Sequence, residues 1–199
     1  VKLELLLMIE MKKLNLQAFI SSGVNIVNNE NRNDPETTEQ SRIDFELSFE
    51  GYVLQVIKDF EKITFEVSGR RAQDAFFGGE LNSKSTELSL AAHINWYPFF
   101  NPNVIDQHIV YLGAHYRYGI SSLRNETTDE VGSYSLRTLP GFRLGVKYNF
   151  EGGFGYRIFG GFENINVERI ETSQGGDTNL PNRANYTEAK LSLSLSKFF

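Results

Sequence analysis

The 199-residue chain contains no cysteine, which excludes disulfides, thiolate zinc sites and thiol catalysis together. It also lacks any apolar run approaching the roughly 18 residues of a membrane-spanning helix. The longest such run is five residues, Leu5 to Ile9, so a helical membrane protein is excluded. Positive charge is not in excess: 20 Lys plus Arg against 25 Asp plus Glu give a net charge of −5, which offers no general field for nucleic acid. Helical spacing of apolar residues is nowhere sustained, and neither a Gly-x-Ser-x-Gly elbow nor a His-Glu-x-x-His zinc helix occurs. The first 13 residues do not read as a signal peptide, because Lys2, Glu4 and Glu10 interrupt the apolar stretch. The chain reads as a mature protein or part of one.

What the sequence does have is period two. Apolar and polar residues alternate over stretches that only an extended strand can sort onto opposite faces. Ala189, Leu191, Leu193 and Leu195 share one face near the C-terminus, with Lys190, Ser192, Ser194 and Ser196 on the other. Ile43, Phe45, Leu47, Phe49 and Val53 oppose Asp44, Glu46, Ser48 and Glu50, and Ile63, Phe65 and Val67 oppose Lys62, Thr64, Glu66 and Ser68. The pattern recurs at 14–20, 88–97, 109–120, 142–150 and 154–163, which predicts eight strands. Polar connectors near 28–42, 71–86, 121–133 and 171–185 are long, whereas those near 58–61, 98–107 and 150–153 are mostly shorter. Long loops at one end and short turns at the other fit an all-β, eight-stranded antiparallel up-and-down barrel. At about 9 to 11 residues per tilted crossing, eight strands use about 72 to 88 residues and leave the rest for loops and extensions.

Period two alone leaves two environments open, a soluble ligand carrier and a membrane barrel with its polar face inward. The polar face mixes charge with small residues, as in Gly113, His115, Arg117 and in Arg143, Gly145, Lys147, which suits a crowded lumen. Aromatics gather at strand ends: Trp96, Tyr97, Phe99 and Phe100 beside one turn, Tyr148, Phe150, Phe154 and Tyr156 beside another. Such girdles belong at a lipid interface. The last strand, with Leu191, Leu193, Leu195 and a terminal Phe199, resembles that of bacterial outer-membrane β-barrels. In that family such a strand is the recognition signal for the assembly machinery; Lys197 departs from the pattern, since an apolar or aromatic residue is usual there. By strand count the chain is similar to the small OmpA and OmpX class. The resemblance implies a transmembrane barrel of the bacterial outer membrane with its long loops extracellular.

With the polar face inward, the early strands supply Asp44, Glu46, Glu50, Glu66 and Glu87, and the later ones Arg117, Arg143, Lys147, Arg157 and Lys190. Opposite charge on opposite sides predicts a cross-lumen network of ion pairs, because desolvated charges are costly unless paired. A conduction path is the competing reading; open aqueous channels normally need about 16 strands. His93 and His115 fall on the inward face and His108 at a strand start, without the convergent partners of a catalytic histidine. Acidic loops at 28–40 and 125–130 lack calcium-loop spacing, and Gly152, Gly153 and Gly155 mark a turn. No metal or cofactor is expected, and no catalytic residue.

Residues 1–12 form a surplus apolar arm ahead of the barrel at 13–199, with Leu3, Leu5, Leu7 and Ile9 on one face. A segment this apolar is expected to pack on lipid or another subunit. Small wall residues, Ala92, Ala114 and Gly160 among them, would allow close approach of a second barrel. The sequence thus predicts a non-catalytic barrel that contacts membrane lipids and forms a cyclic homo-oligomer, against the alternatives of a small pore or a lipid-acting membrane enzyme.

Overall fold

The computed structural model describes residues 16–29, 39–52, 60–74, 83–125, 129–172 and 183–199. The arm at 1–12, with Leu3, Leu5, Leu7 and Ile9, lies outside them. Nine strands run in chain order: β1 (Leu16–Asn29), β2 (Glu39–Gly51), β3 (Ile63–Asp74), β4 (Ser83–Trp96), β5 (His108–Asn125), β6 (Val131–Thr138), β7 (Gly141–Asn149), β8 (Phe154–Thr172) and β9 (Arg183–Phe198). All pairings are antiparallel, and β1 pairs with β9 from Gln17↔Phe198 to Asn29↔Tyr186, so the sheet closes on itself. Closure leaves no edge strand, as lipid requires of a spanning sheet.

Both β6 and β7 lie between β5 and β8, so they are two halves of one barrel strand and the ring has eight members. This corrects the expectation of a single sixth strand at 142–150 preceded by a loop at 121–133. The interruption falls at Leu139-Pro140, where proline offers no N–H to a ladder. Leu139 N–H still donates to the Asn164 carbonyl (3.0 Å), and the Thr138 hydroxyl accepts from the Arg117 backbone N–H (2.8 Å). Leu139 and Pro140 are both exposed, so the alternation slips by one: even-numbered residues point inward on β6, odd-numbered ones on β7.

That slip accompanies a reversal of polarity. On β7 the wall carries Phe142 and Leu144 and the lumen Arg143 and Lys147; on β6 the wall carries Ser133 and Arg137, while Tyr134 and Leu136 are buried inside. The upper part of β8 behaves likewise, with Ile165 inward and Asn164 and Glu168 outward. Below this level the outer wall is predominantly apolar, as with Ile43, Phe45, Leu47 and Phe49 on β2. On β5 the apolar wall runs from Val110 to Ile120, about 34 Å of strand, or roughly 25 Å of depth at a tilt of about 40°. On β6 and upper β8 the inward side chains turn apolar where the outward ones turn polar, the pattern expected at the upper edge of a lipid belt. Trp96, Phe154 and Phe199 border the lower edge.

Candidate functional site: the ionic lumen

Strand alternation places one inward side chain every second residue, and the register stacks them into tiers. The floor is amide and phenol. Gln17 donates to Ser196 Oγ (2.8 Å) and Asn149 Oδ1 (3.2 Å), Tyr52 donates to Gln17 Oε1 (2.6 Å), and Asn149 donates to the carbonyls of Pro102 and Val104 (3.0 Å each). The 97–107 connection is thereby drawn across the opening, where Tyr97, Ile109, Tyr111 and Phe159 form a small apolar cluster. Glu50 accepts from Thr64, Tyr97 and Lys147, the last at 3.2 Å. Tyr52 and Tyr97 lie just past the ends of β2 and β4; burial, then the Glu50 carboxylate, pushes both phenols well above their ordinary range and keeps them donors.

Glu66 is the centre of the middle tier. Arg157 holds it with two bonds of 2.8 and 2.9 Å, Arg143 forms a second ion pair with it, and Asn95 donates to it at 3.1 Å. Gly145 makes room for the rings over which these guanidiniums lie, since a Cβ there would come within 2.6 Å of Tyr111 and 2.7 Å of Phe159. Both arginines also lie over aromatic faces, with Arg157 4.0 Å from the Phe19 centroid and Arg143 5.5 Å from that of Phe159.

Above it, Lys190 bridges Asp44 and Glu46 at 2.7 Å each. His115 and Arg117 meet Glu163 at 2.9 and 3.3 Å. Arg70 is the hub of the upper tier, reaching Asp44 (2.8 Å), Glu163 (3.0 Å), Glu87 (3.9 Å) and Glu188, and Arg42 adds pairs to Glu87 (3.4 Å) and Glu188 (3.7 Å). Among the described residues, seven buried carboxylates held in ion pairs, Asp44, Glu46, Glu50, Glu66, Glu87, Glu163 and Glu188, therefore face seven cations, Arg42, Arg70, Arg117, Arg143, Lys147, Arg157 and Lys190. The formal charges of these fourteen side chains balance. The cavity lined by Glu46, His93, His115 and Lys190 holds only about 20 Å³, room for about one water.

No protein-family model matches the sequence, and no curated protein matches it. Solved structures do. Neisserial surface protein A superposes with a TM-score of 0.59 at 12% identity, covering 92% of this chain and 97% of that one. The outer membrane protein OprG of Pseudomonas aeruginosa gives 0.53 at 11%, covering 94% and 97%, and Ail, the attachment invasion locus protein of Yersinia pestis, 0.50 at 10%, covering 93% and 99%. The chain folds as a small outer-membrane β-barrel. Identities this low establish the fold and nothing of the chemistry.

Within this outer-membrane barrel, Asp44, Glu46, Glu50, Glu66, Glu87, Arg117, Arg143, Lys147, Arg157 and Lys190 all point inward and all engage a partner of opposite charge. Charge is not segregated by side, however. Arg42 and Arg70 stand among the carboxylates of β2 and β3, and Glu163 and Glu188 among the cations of β8 and β9. The sequence reading missed these four although Glu163 closes the 154–163 segment, and extending the other alternations by one or two residues would have found Arg42, Arg70 and Glu188.

Tyr97 is a second correction. It is fully buried in the floor, whereas Trp96, one residue earlier and hence on the opposite face, is 49% exposed on the wall. Phe99, Phe100, Phe150 and Phe154 are exposed, and Tyr148 and Tyr156 stack at 5.6 Å on the wall. Leu191, Leu193, Leu195 and Phe199 are exposed, as are Ala92, Ala114 and Gly160. Ser68, His93 and Glu46 lie together, but Ser68 (2.8 Å) and Glu46 (3.9 Å) both approach Nε2, and a catalytic relay needs one partner on each ring nitrogen. Glu46, Glu66 and His93 offer ligand atoms within 4.8 Å of one another, yet Lys190, Arg143 and Arg157 already neutralise those carboxylates. A divalent ion would add charge to a balanced site.

Proposed function

We propose that this is a closed, non-catalytic barrel of the bacterial outer membrane, with its long loops extracellular and a structural or partner-binding role at its rim and wall. The observation that carries this reading is the network of buried ion pairs that runs through the lumen, in which the paired carboxylates and cations of the described residues balance overall. Moving an ion along the axis means breaking buried pairs, each costing several kcal/mol once desolvated. A packed, neutral interior acts as a rigid core that holds eight strands and displays the connections between them. Liposomes loaded with salt and small sugars test this: with the barrel inserted they leak no faster than empty ones, and fast leakage favours a pore.

Self-association belongs to the same proposal. Lipid already solvates the wall, so copies associate only where close packing beats lipid contact, as at Ala92, Ala114 and Gly160. The arm at 1–12 supplies a further surface, and a ring satisfies every head-to-tail interface. Native mass spectrometry of the whole chain beside one starting at Lys13 tests it: a discrete oligomer lost on truncation supports the arm, and monomers in both refute it.

A further inference from the structure

The outer wall carries a groove of about 440 Å³ across β1, β2, β8 and β9, bordered by Val24, Ile43, Ile158, Leu191 and Leu193 with Ser22 at its floor. The groove exists because Ser22 is short among branched neighbours, facing Phe45 on one side and Leu193 on the other. Its hydroxyl is turned away from lipid, donating to the Asp44 carbonyl at 3.2 Å. The groove therefore presents mostly apolar surface.

Down the same strand, β9 places Lys197 on the wall four residues beyond Leu193. Its ammonium lies 5.2 Å from the Phe154 centroid and 6.0 Å from that of Phe199, at the aromatic lower edge of the belt. Among the described residues no carboxylate forms an ion pair with it. Four residues rise about 13.6 Å, or about 10 Å of depth at a tilt near 40°, within the roughly 15 Å of one leaflet's hydrocarbon. A cation held by rings at the headgroup level thus stands one leaflet's reach from an apolar groove on the same wall.

We propose that this wall binds one anionic phospholipid of the lower leaflet, its phosphate at Lys197 and an acyl chain in the groove at Ser22. The inference rests on the reading that the wall faces lipid. It gives Lys197, the residue that departs from the terminal-strand pattern, a role of its own: a neutral side chain there would fit the pattern and lose the phosphate. The aromatic pair flanking the ammonium lets it face the headgroup region without a protein counterion.

The test is native mass spectrometry of the intact protein, released from mild detergent containing phosphatidylglycerol or phosphatidylcholine. Wild type retains the anionic lipid about fivefold better, the equivalent of about 1 kcal/mol for one cation at an anionic surface. Lys197→Gln brings the ratio near one while lipid still binds, Ser22→Leu abolishes retention of both lipids, and Lys62→Gln leaves the wild-type ratio. Heat-shifted gel migration certifies folding of each variant, and should Ser22→Leu not fold, Ile43→Trp fills the groove from β2. Equal retention of the two lipids by wild type, or undiminished retention by the groove variants, overturns the proposal. So does a dimer lost in Ser22→Leu with lipid retained, which would assign the groove to a second copy. The liposome leakage assay reads the closed lumen separately, so either idea can fail alone.

Discussion

Replacing Glu66 by Gln removes one negative charge from between two guanidiniums while keeping side-chain size. In the folded barrel Arg157 and Arg143 both lose their principal counterion, and Asn95 loses a charged acceptor. All three charged side chains are almost completely buried, so water cannot take over. Orphaning a buried charge costs about 3–5 kcal/mol, which moves the unfolding equilibrium by between two and about three and a half orders of magnitude. The internal control is Glu168→Gln, which breaks the Arg183–Glu168 pair of 2.6 Å whose side chains are 75% and 50% exposed. That exposed pair is worth at most about 1 kcal/mol. The assay is reversible urea unfolding in detergent or vesicles, followed by the fluorescence of Trp96, the only tryptophan in the chain. A Glu66→Gln penalty no larger than that of Glu168→Gln would refute the reasoning, because it would mean that the lumen solvates its charges.

Lysine at Leu193, halfway down the lipid wall, destabilises by about 2–4 kcal/mol in the same assay, against about 0–1 kcal/mol at Ser133, which lies above the belt. Equal costs would misplace the belt. Gly145→Ala forces a methyl against Tyr111 and Phe159 and costs about 1–3 kcal/mol through overpacking, readable as a lower urea midpoint. A closed sheet that pairs its backbone throughout resists detergent, so unboiled protein migrates differently from boiled protein on a denaturing gel. Identical migration would contradict closure.

The strand pattern was legible wherever one face meets lipid, because there the alternation is between apolar and polar. It was hardest to read where the solvent changes. Gly132, Tyr134, Leu136 and Thr138 alternate with Ser133, Ser135 and Arg137 as plainly as any strand, but with the apolar set inside. A rule that sends polar residues to the lumen turns such a segment inside out, and so it reads as loop. The four missed charges have another cause: Arg42, Arg70, Glu163 and Glu188 obey the inward-polar rule but lie at or just beyond the ends of the readable alternations, where these run into polar connections. Tyr97 was misplaced by composition overriding parity, since its neighbour Trp96 already occupied the outer face. The partner of each charge was beyond reach of the sequence, because register and shear decide which tiers meet. Nothing in the alternation tells that Glu66 meets Arg157 while Glu46 meets Lys190.

The proposed function turns on a lumen plugged by its own ion pairs. Single-channel recording in planar bilayers tests it most directly when wild type is compared with the triple variant Glu66→Ser, Arg143→Ser, Arg157→Ser, which empties the middle tier while preserving its net charge to within one unit. Wild type should give no stable current steps, and the triple variant should give them, provided its heat-shifted migration shows a folded barrel. Stable, ion-selective steps from wild type, unchanged in the triple variant, would contradict the account.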